Sequence, residues 1–190
     1  MLDITTKPQY FKEDLFVRSP CKIYLGENPF RKLIPHTEPT KKQMLDYLKR
    51  KYTYVVCLLE TPTIYQMYNQ HGIKAEHFPI PRLEVPDEDP LRELIDRIYQ
   101  MALLNPQAKI LIHSEEGKER AVTVAACVYK TFAKCNRENV ISEINRIFPG
   151  LRRVKRQQEF IKNYQPIKAD ENTAKEDIED FDLKRGYERD

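Results

Sequence analysis

No stretch of this 190-residue chain runs to the roughly 18 consecutive apolar residues that a membrane-crossing helix needs, so none is expected to span a bilayer. The opening, MLDITTKPQYFKED, lacks the apolar core of a secretory signal, and its early acids argue against a transit peptide. A cytoplasmic setting is therefore expected, with the nucleus left open. Cysteine is sparse and unpatterned. Cys21, Cys57, Cys127 and Cys135 form no CxxC or Cys/His array, so no structural metal and no cofactor is inferred, and the thiols are expected to be reduced. Charge of one sign is also lacking, since a net +3 is too little to imply nucleic acid by itself.

That charge is uneven. Residues 166–190 hold nine acids against five bases, net −4, which leaves +7 on residues 1–165. The same terminal segment has few apolar residues and no helical stripe, so it is expected to be a flexible acidic tail. Its use is either solubilising, or binding a partner or masking the chain's own surface. The rest, with 41% hydrophobic and 32% charged residues over the whole chain, has the make-up of one globular domain. Residues 20–165 are assigned to that domain and residues 1–19 to an N-terminal extension.

Within 20–165, strand-like and helix-like segments alternate. CKIYLG and TYVVCLLE are short, apolar and rich in β-formers, and TKKQMLDYLKRK between them predicts a helix opening on Thr40 as N-cap. TIYQMYNQH predicts a helix stopping at Gly72, and EHFPIP a brief strand. Leu91, Leu94, Ile95, Ile98 and Ala102 recur at helical spacing from a start near Asp89 and Pro90. AKILIHS reads as a buried strand, followed by helices over 118–134, RENVISEINRIF and RRVKRQQEFIKNY. This alternation predicts an α/β fold, a central, mostly parallel sheet flanked by helices, with any ligand at the carboxyl ends of the strands.

Residues 113–120 lie at one such end. A strand, a loop holding Gly117 and a helix start form a recipe for an anion site, because backbone N–H groups converge where the helix dipole is positive. Gly117 permits the tight turn, and Arg120 offers a two-pronged fork for phosphate oxygens.

HSEEGKERA resembles the HCxxGxxR(S/T) signature of the cysteine-dependent protein tyrosine and dual-specificity phosphatases, with His113, Gly117 and Arg120 in matching places. IYLGENPF, VVCLLE, FPIPRLEVP and QQEFIKNY are similar to further family segments in the same order, so the resemblance covers roughly residues 20–165. It implies a dual-specificity phosphatase-like fold, no metal, and a loop from residue 114 through Glu115, Glu116, Gly117, Lys118, Glu119 and Arg120 that holds phosphate. In the family a cysteine thiolate attacks phosphorus, the arginine holds the oxygens and an aspartic acid protonates the leaving oxygen. Lys118 matches the GKxR variant of members acting on inositol phosphates, phosphoinositides or related substrates.

Three positions depart from the family. Ser114 stands where the nucleophilic cysteine belongs, and a hydroxyl, unlike a thiol, needs a dedicated base. Arg82 stands where the general acid belongs; Asp87 or Asp89 would substitute if their loop swung inward, or else cap the helix that follows. Ala121 replaces the hydroxyl that stabilises the departing thiolate. His113 either tunes the loop's electrostatics, as in the family, or serves as a structural donor. Glu115, Glu116 and Glu119 would repel an anion if they faced it.

The resulting expectation is a catalytically inactive pseudophosphatase that binds a phosphorylated protein, an inositol phosphate or a phosphoinositide, or scaffolds a protein partner. One alternative is an active tyrosine, dual-specificity or inositol-phosphate phosphatase, a phosphoric monoester hydrolase, whose cysteine was replaced by serine to trap substrate. The other is a pure interaction scaffold in which Arg120 pairs with a neighbouring acid and the pocket is closed. The basic run Arg152, Arg153, Lys155 and Arg156 fits phosphoprotein, lipid headgroups or RNA, or the solvated face of a helix. Nothing in the chain argues for an oligomer.

Overall fold

In the computed structural model, residues 7, 8, 10–17, 21–32, 37–132, 142, 144, 145 and 155–166 are described. They form β1 (Glu13–Val17), β2 (Lys22–Gly26), α1 (Glu38–Lys51), β3 (Tyr54–Cys57), α2 (Thr63–Gln70), β4 (Ala75–His77), α3 (Glu88–Leu104), β5 (Lys109–His113), α4 (Glu119–Phe132) and α5 (Lys155–Asn163). The helix expected over 137–148 falls outside the described residues except at 142, 144 and 145. Cys135, Arg152, Arg153 and the acidic tail beyond residue 166 also fall outside them.

The five strands form one sheet in the order β1-β2-β5-β3-β4. β1 is antiparallel to β2, and every other pair is parallel. Side chains alternate across the sheet with the period of two that a pleated strand imposes. Ile110 and Ile112 join Ile23, Leu25 and Val56 in the core packed by Leu91, Ile95, Val124 and Ile161 of α3, α4 and α5. Leu111, Val55 and Cys57 face the other way, onto Met44 and Leu48 of α1 and Tyr68 of α2. Helices thus cover both faces, as the continuous Ile-Leu-Ile run predicts.

The register sets the strand ends level. Gly26 and Cys57 both lie opposite His113, and His77 lies opposite Cys57. Four carboxyl ends therefore finish on one line, and the segments that follow them share one edge of the sheet. From β2 and β3 the chain leaves toward α1 and α2 on one face, whereas from β5 it leaves toward α4 on the other. Such a divergence of connections opens a crevice at the strand ends.

Several boundaries differ from the sequence reading. β1 lies within the segment assigned to an N-terminal extension. Phe11, Phe16 and Val17 are buried there, but Lys12, Glu13 and Asp14 interrupt them and hide the strand pattern. α1 begins at Glu38, two residues before the expected cap. Thr37 is the N-cap, and its amide donates to Thr40 Oγ1 at 3.2 Å, so Thr40 closes a capping box from the third helical position. β4 occupies only Ala75–His77, and Pro79, with no amide proton to donate, follows close behind it. α3 begins at Glu88 rather than Asp89, with Asp87 in the N-cap position. α2 ends as expected, with Gly72 at φ +69° just beyond it.

Candidate functional site

Beyond β5 the chain turns sharply through residues 114–118 and enters α4. Gly117 has φ +67°, and a Cβ there would lie 2.5 Å from the carbonyl carbon of Gly26 and 2.7 Å from the amide nitrogen of Glu27. Only glycine fits both demands. Ser114, 2% exposed, donates its amide to Gly26 O at 3.3 Å, which fixes the first residue of the turn against the end of β2. Among the described residues no side chain is bonded to the Ser114 hydroxyl. Ala121 is buried in the first turn of α4, where a methyl packs without a hydroxyl to satisfy.

Arg120 turns from the helix toward the ends of β3 and β4. Its Nη1 donates to Ile80 O at 2.9 Å and lies 3.5 Å from Glu60 Oε1, and its side chain is 12% exposed. Nε and Nη2 have no partner among the described residues. One prong is thus spent on holding the guanidinium in place, and the pair that forms the fork remains.

Two of the three glutamates are drawn toward the segment after β2. Glu115 Oε2 accepts from Asn28 Nδ2 at 3.0 Å, its carbonyl accepts from the Asn28 amide at 3.2 Å, and its other carboxylate oxygen lies 3.7 Å from Arg31 Nε. Glu116 accepts from Arg31 Nη2 and Lys118 Nζ, both at 3.1 Å. Lys118, and with it Arg31, holds the Glu116 carboxyl below the ordinary carboxylate range. The repulsion expected of these two acids is therefore offset by partners, while Glu119 is exposed in the first turn of α4. Lys118 itself is exposed and engaged by Glu116.

His113 is fully buried at the end of β5, and its Nε2 pairs with Tyr68 Oη at 2.9 Å. Its Nδ1 is buried without a partner among the described residues. Burial pushes its pKa down to about 3, so the imidazole is neutral at physiological pH. The same burial holds the Tyr68 phenol well above its usual value and pushes the nearby Cys57 thiol up to about 11. His113 is anchored structurally and carries no positive charge toward the loop.

Arg82 follows Ile80 and Pro81 in the segment after β4. Its amide donates to the same Glu60 Oε1 that lies beside Arg120, at 3.1 Å, and its side chain is exposed with no partner among the described residues. Asp87 is exposed and occupies the N-cap position of α3 without a side-chain bond, and Asp89 pairs with Arg92 at 2.7 Å. Neither is bonded to any residue of the 114–120 loop. The structure thus gathers Ser114, Gly117, Arg120 and His113 at one edge and leaves Asp87 and Asp89 at the start of α3.

Asn28, Arg31, Glu60 and Tyr68 were not singled out from the sequence. Asn28, Arg31 and Glu60 follow strands whose carboxyl ends line the site, a positional signal that points to them. Tyr68 had no signal beyond its place on a helix stripe. Among the described residues no cluster of His, Cys, Asp or Glu could hold a metal ion, and no described helix is long and apolar enough to cross a membrane.

Solved structures share this fold. Kinase-associated phosphatase, in a form with its catalytic cysteine replaced by serine, superimposes with a TM-score of 0.65 at 19% identity, covering 82% of this chain and 94% of that one. The chain has the dual-specificity phosphatase fold. Tk-PTP in its active form matches this chain at TM-score 0.58 and 22% identity, over 76% of it and 90% of its own length. The core catalytic domain of the PP-IP phosphatase SIW14 from S. cerevisiae, in complex with citrate, matches at TM-score 0.54 and 20% identity, over 85% and 88%. A sequence-family model for cyclin-dependent kinase inhibitor 3 matches residues 51–141, which span β3 to α4 and so include the loop at residues 114–120. No curated protein matches the chain in sequence.

Proposed function

We propose that the chain binds a phosphorylated ligand, a phosphoprotein or an inositol phosphate, without hydrolysing it, as a pseudophosphatase. The observation that carries this reading is the pairing of an open arginine fork with a hydroxyl that has no base: Arg120 keeps Nε and Nη2, while nothing among the described residues activates Ser114. A dianion seated in the turn meets the amino end of α4 and two guanidinium N–H groups. Departure of an alcohol from phosphorus needs a proton, and the family's acid position holds Arg82 in place of a carboxylic acid. Glu115 and Glu116, tied to Asn28, Arg31 and Lys118, leave the turn electrostatically able to accept an anion.

Calorimetric titration of the full chain with inorganic phosphate tests the reading. Saturable binding that Arg120→Ala removes is expected, with no release of phosphate from p-nitrophenyl phosphate by the unmodified chain. Sustained turnover by the unmodified chain would refute it.

A second reading has its own support. Arg120 is mostly covered and already touches Glu60 and Ile80 O, which favours a scaffold with a closed pocket. That reading predicts no phosphate binding in either protein.

A further inference from the structure

We propose that α5 positions Arg120, acting through the turn at residues 81–84, and that Arg156 and Gln157 are positioning residues for the arginine fork. The inference rests on the reading of Arg120 as the phosphate ligand.

The turn begins at Pro81 and closes with the Glu84 amide donating to Pro81 O at 3.1 Å. Its third residue is Leu83, at φ +67°, a left-handed conformation that glycine or asparagine usually supplies at that place. Leu83 is also exposed, so burial of its side chain does not offset the strain. Such a turn keeps its shape only if its surroundings hold it.

It is held from both sides. On the loop side, Ile80 O accepts from Arg120 Nη1 at 2.9 Å, and the Arg82 amide donates to Glu60 Oε1 at 3.1 Å. On the helix side, Glu84 Oε2 pairs with Arg156 Nη2 at 2.6 Å, and the Glu84 carbonyl accepts a long bond of 3.5 Å from Gln157 Nε2. Gln157 is only 1% exposed and packs in a fixed place, and its Oε1 has no partner among the described residues. The turn is therefore a short strut between α5 and the arginine. Displacing Glu84 relaxes Leu83 and shifts Ile80 O, and Arg120 Nη1 must follow or lose its acceptor.

The direction of one substitution separates this strut from simple attraction between charges. Glu84→Gln removes a negative charge near an anion site. If only long-range electrostatics connect α5 to the site, phosphate binds more tightly. If the strut operates, the Arg156 pair is lost, the turn loosens and phosphate binds more weakly, by about two- to fivefold, the range of an exposed ion pair.

The experiment compares the unmodified chain, Glu84→Gln, Arg156→Gln and the double variant. The readouts are inorganic phosphate affinity and the Nε–Hε resonance of Arg120 by NMR, assigned with Arg120→Lys. Expected are a moved Arg120 resonance in each single variant without ligand, weaker phosphate binding in both, and a double variant no weaker than the poorer single one. An unmoved Arg120 resonance in Glu84→Gln, or tighter phosphate binding in it, overturns the proposal. Absence of phosphate binding in the unmodified chain would defeat the functional reading alone, because the resonance still decides whether α5 reaches Arg120.

Discussion

Gly117 approaches Gly26 so closely that it tolerates no side chain: a Cβ on Gly117 would lie 2.6 Å from the Gly26 carbonyl oxygen. The end of β2 is thereby packed against the turn after β5. Gly117→Ala must both clash and hold φ +67°. It is expected to lower unfolding stability by more than about 1–2 kcal/mol, the cost of the left-handed conformation alone. Urea denaturation measures this, and a loss under about 0.5 kcal/mol would show that the approach is looser than described.

Ser114→Cys is expected to leave p-nitrophenyl phosphate turnover near background. The thiol would sit at the helix start, but the neutral His113 adds no positive charge, and no carboxylic acid is bonded to the loop from α3. Stopped assays with the purified variant decide it, and recovery of brisk turnover would favour an active enzyme that merely lacks its sulfur.

Arg31→Ala releases Glu115 and Glu116 from their shared cation. Phosphate affinity is expected to fall by about two- to fivefold, in keeping with exposed pairs. Adding Glu115→Gln and Glu116→Gln should restore it. A calorimetric series that showed no change in Arg31→Ala would mean that the two carboxylates never reach the anion.

His113 makes stability depend on pH. Its pKa is about 3 in the folded chain against about 6.5 when unfolded, so the unfolded state takes up the proton first as pH falls. The contribution is complete above pH 6.5 and is lost progressively as pH falls toward 3. At pH 5 this group alone lowers stability by about 2 kcal/mol relative to pH 8. Histidine NMR signals check the cause: the His113 ring should remain neutral at pH 5, and a midpoint near 6.5 would contradict it.

Lys130 is 3% exposed, and its Nζ donates to the carbonyls of Ile161, Lys162 and Tyr164 at 3.0, 3.0 and 2.7 Å. These lie at the carboxyl end of α5, where backbone carbonyls lack helical partners and the dipole is negative. Lys130→Met should cost about 2–4 kcal/mol, as for breaking buried charged hydrogen bonds. Proteolysis should cut first near α5. An unchanged urea midpoint would show that water satisfies those carbonyls equally well.

The β5–loop–α4 unit was legible because its signals are local. Ile110, Leu111 and Ile112 specify a doubly buried strand, Gly117 a left-handed turn, and Arg120 a fork one turn into a helix. β1 was not legible, since three charged residues separate Phe11 from Phe16. The directions of Glu115 and Glu116 were beyond reach for another reason: they depend on Asn28 and Arg31, more than 80 residues away in the chain. Glu60 carried no signal beyond its place after a strand, because its two contacts, with Arg120 and with the Arg82 amide, exist only when three strand ends stand side by side. Lys130 carries no sequence signal beyond its place late in a helix, and only the return of α5 gives it acceptors.

Strands that finish abreast confer a particular evolutionary freedom. The framework is packed below the rim by Ile23, Val56 and Ile110, whereas the crowning Gly26 and His113 are themselves fitted to close neighbours. The freedom lies one step further on, at positions such as Arg82, whose exposed side chain has no partner among the described residues. Chemistry on such a scaffold can vary at those positions while the sheet beneath stays the same.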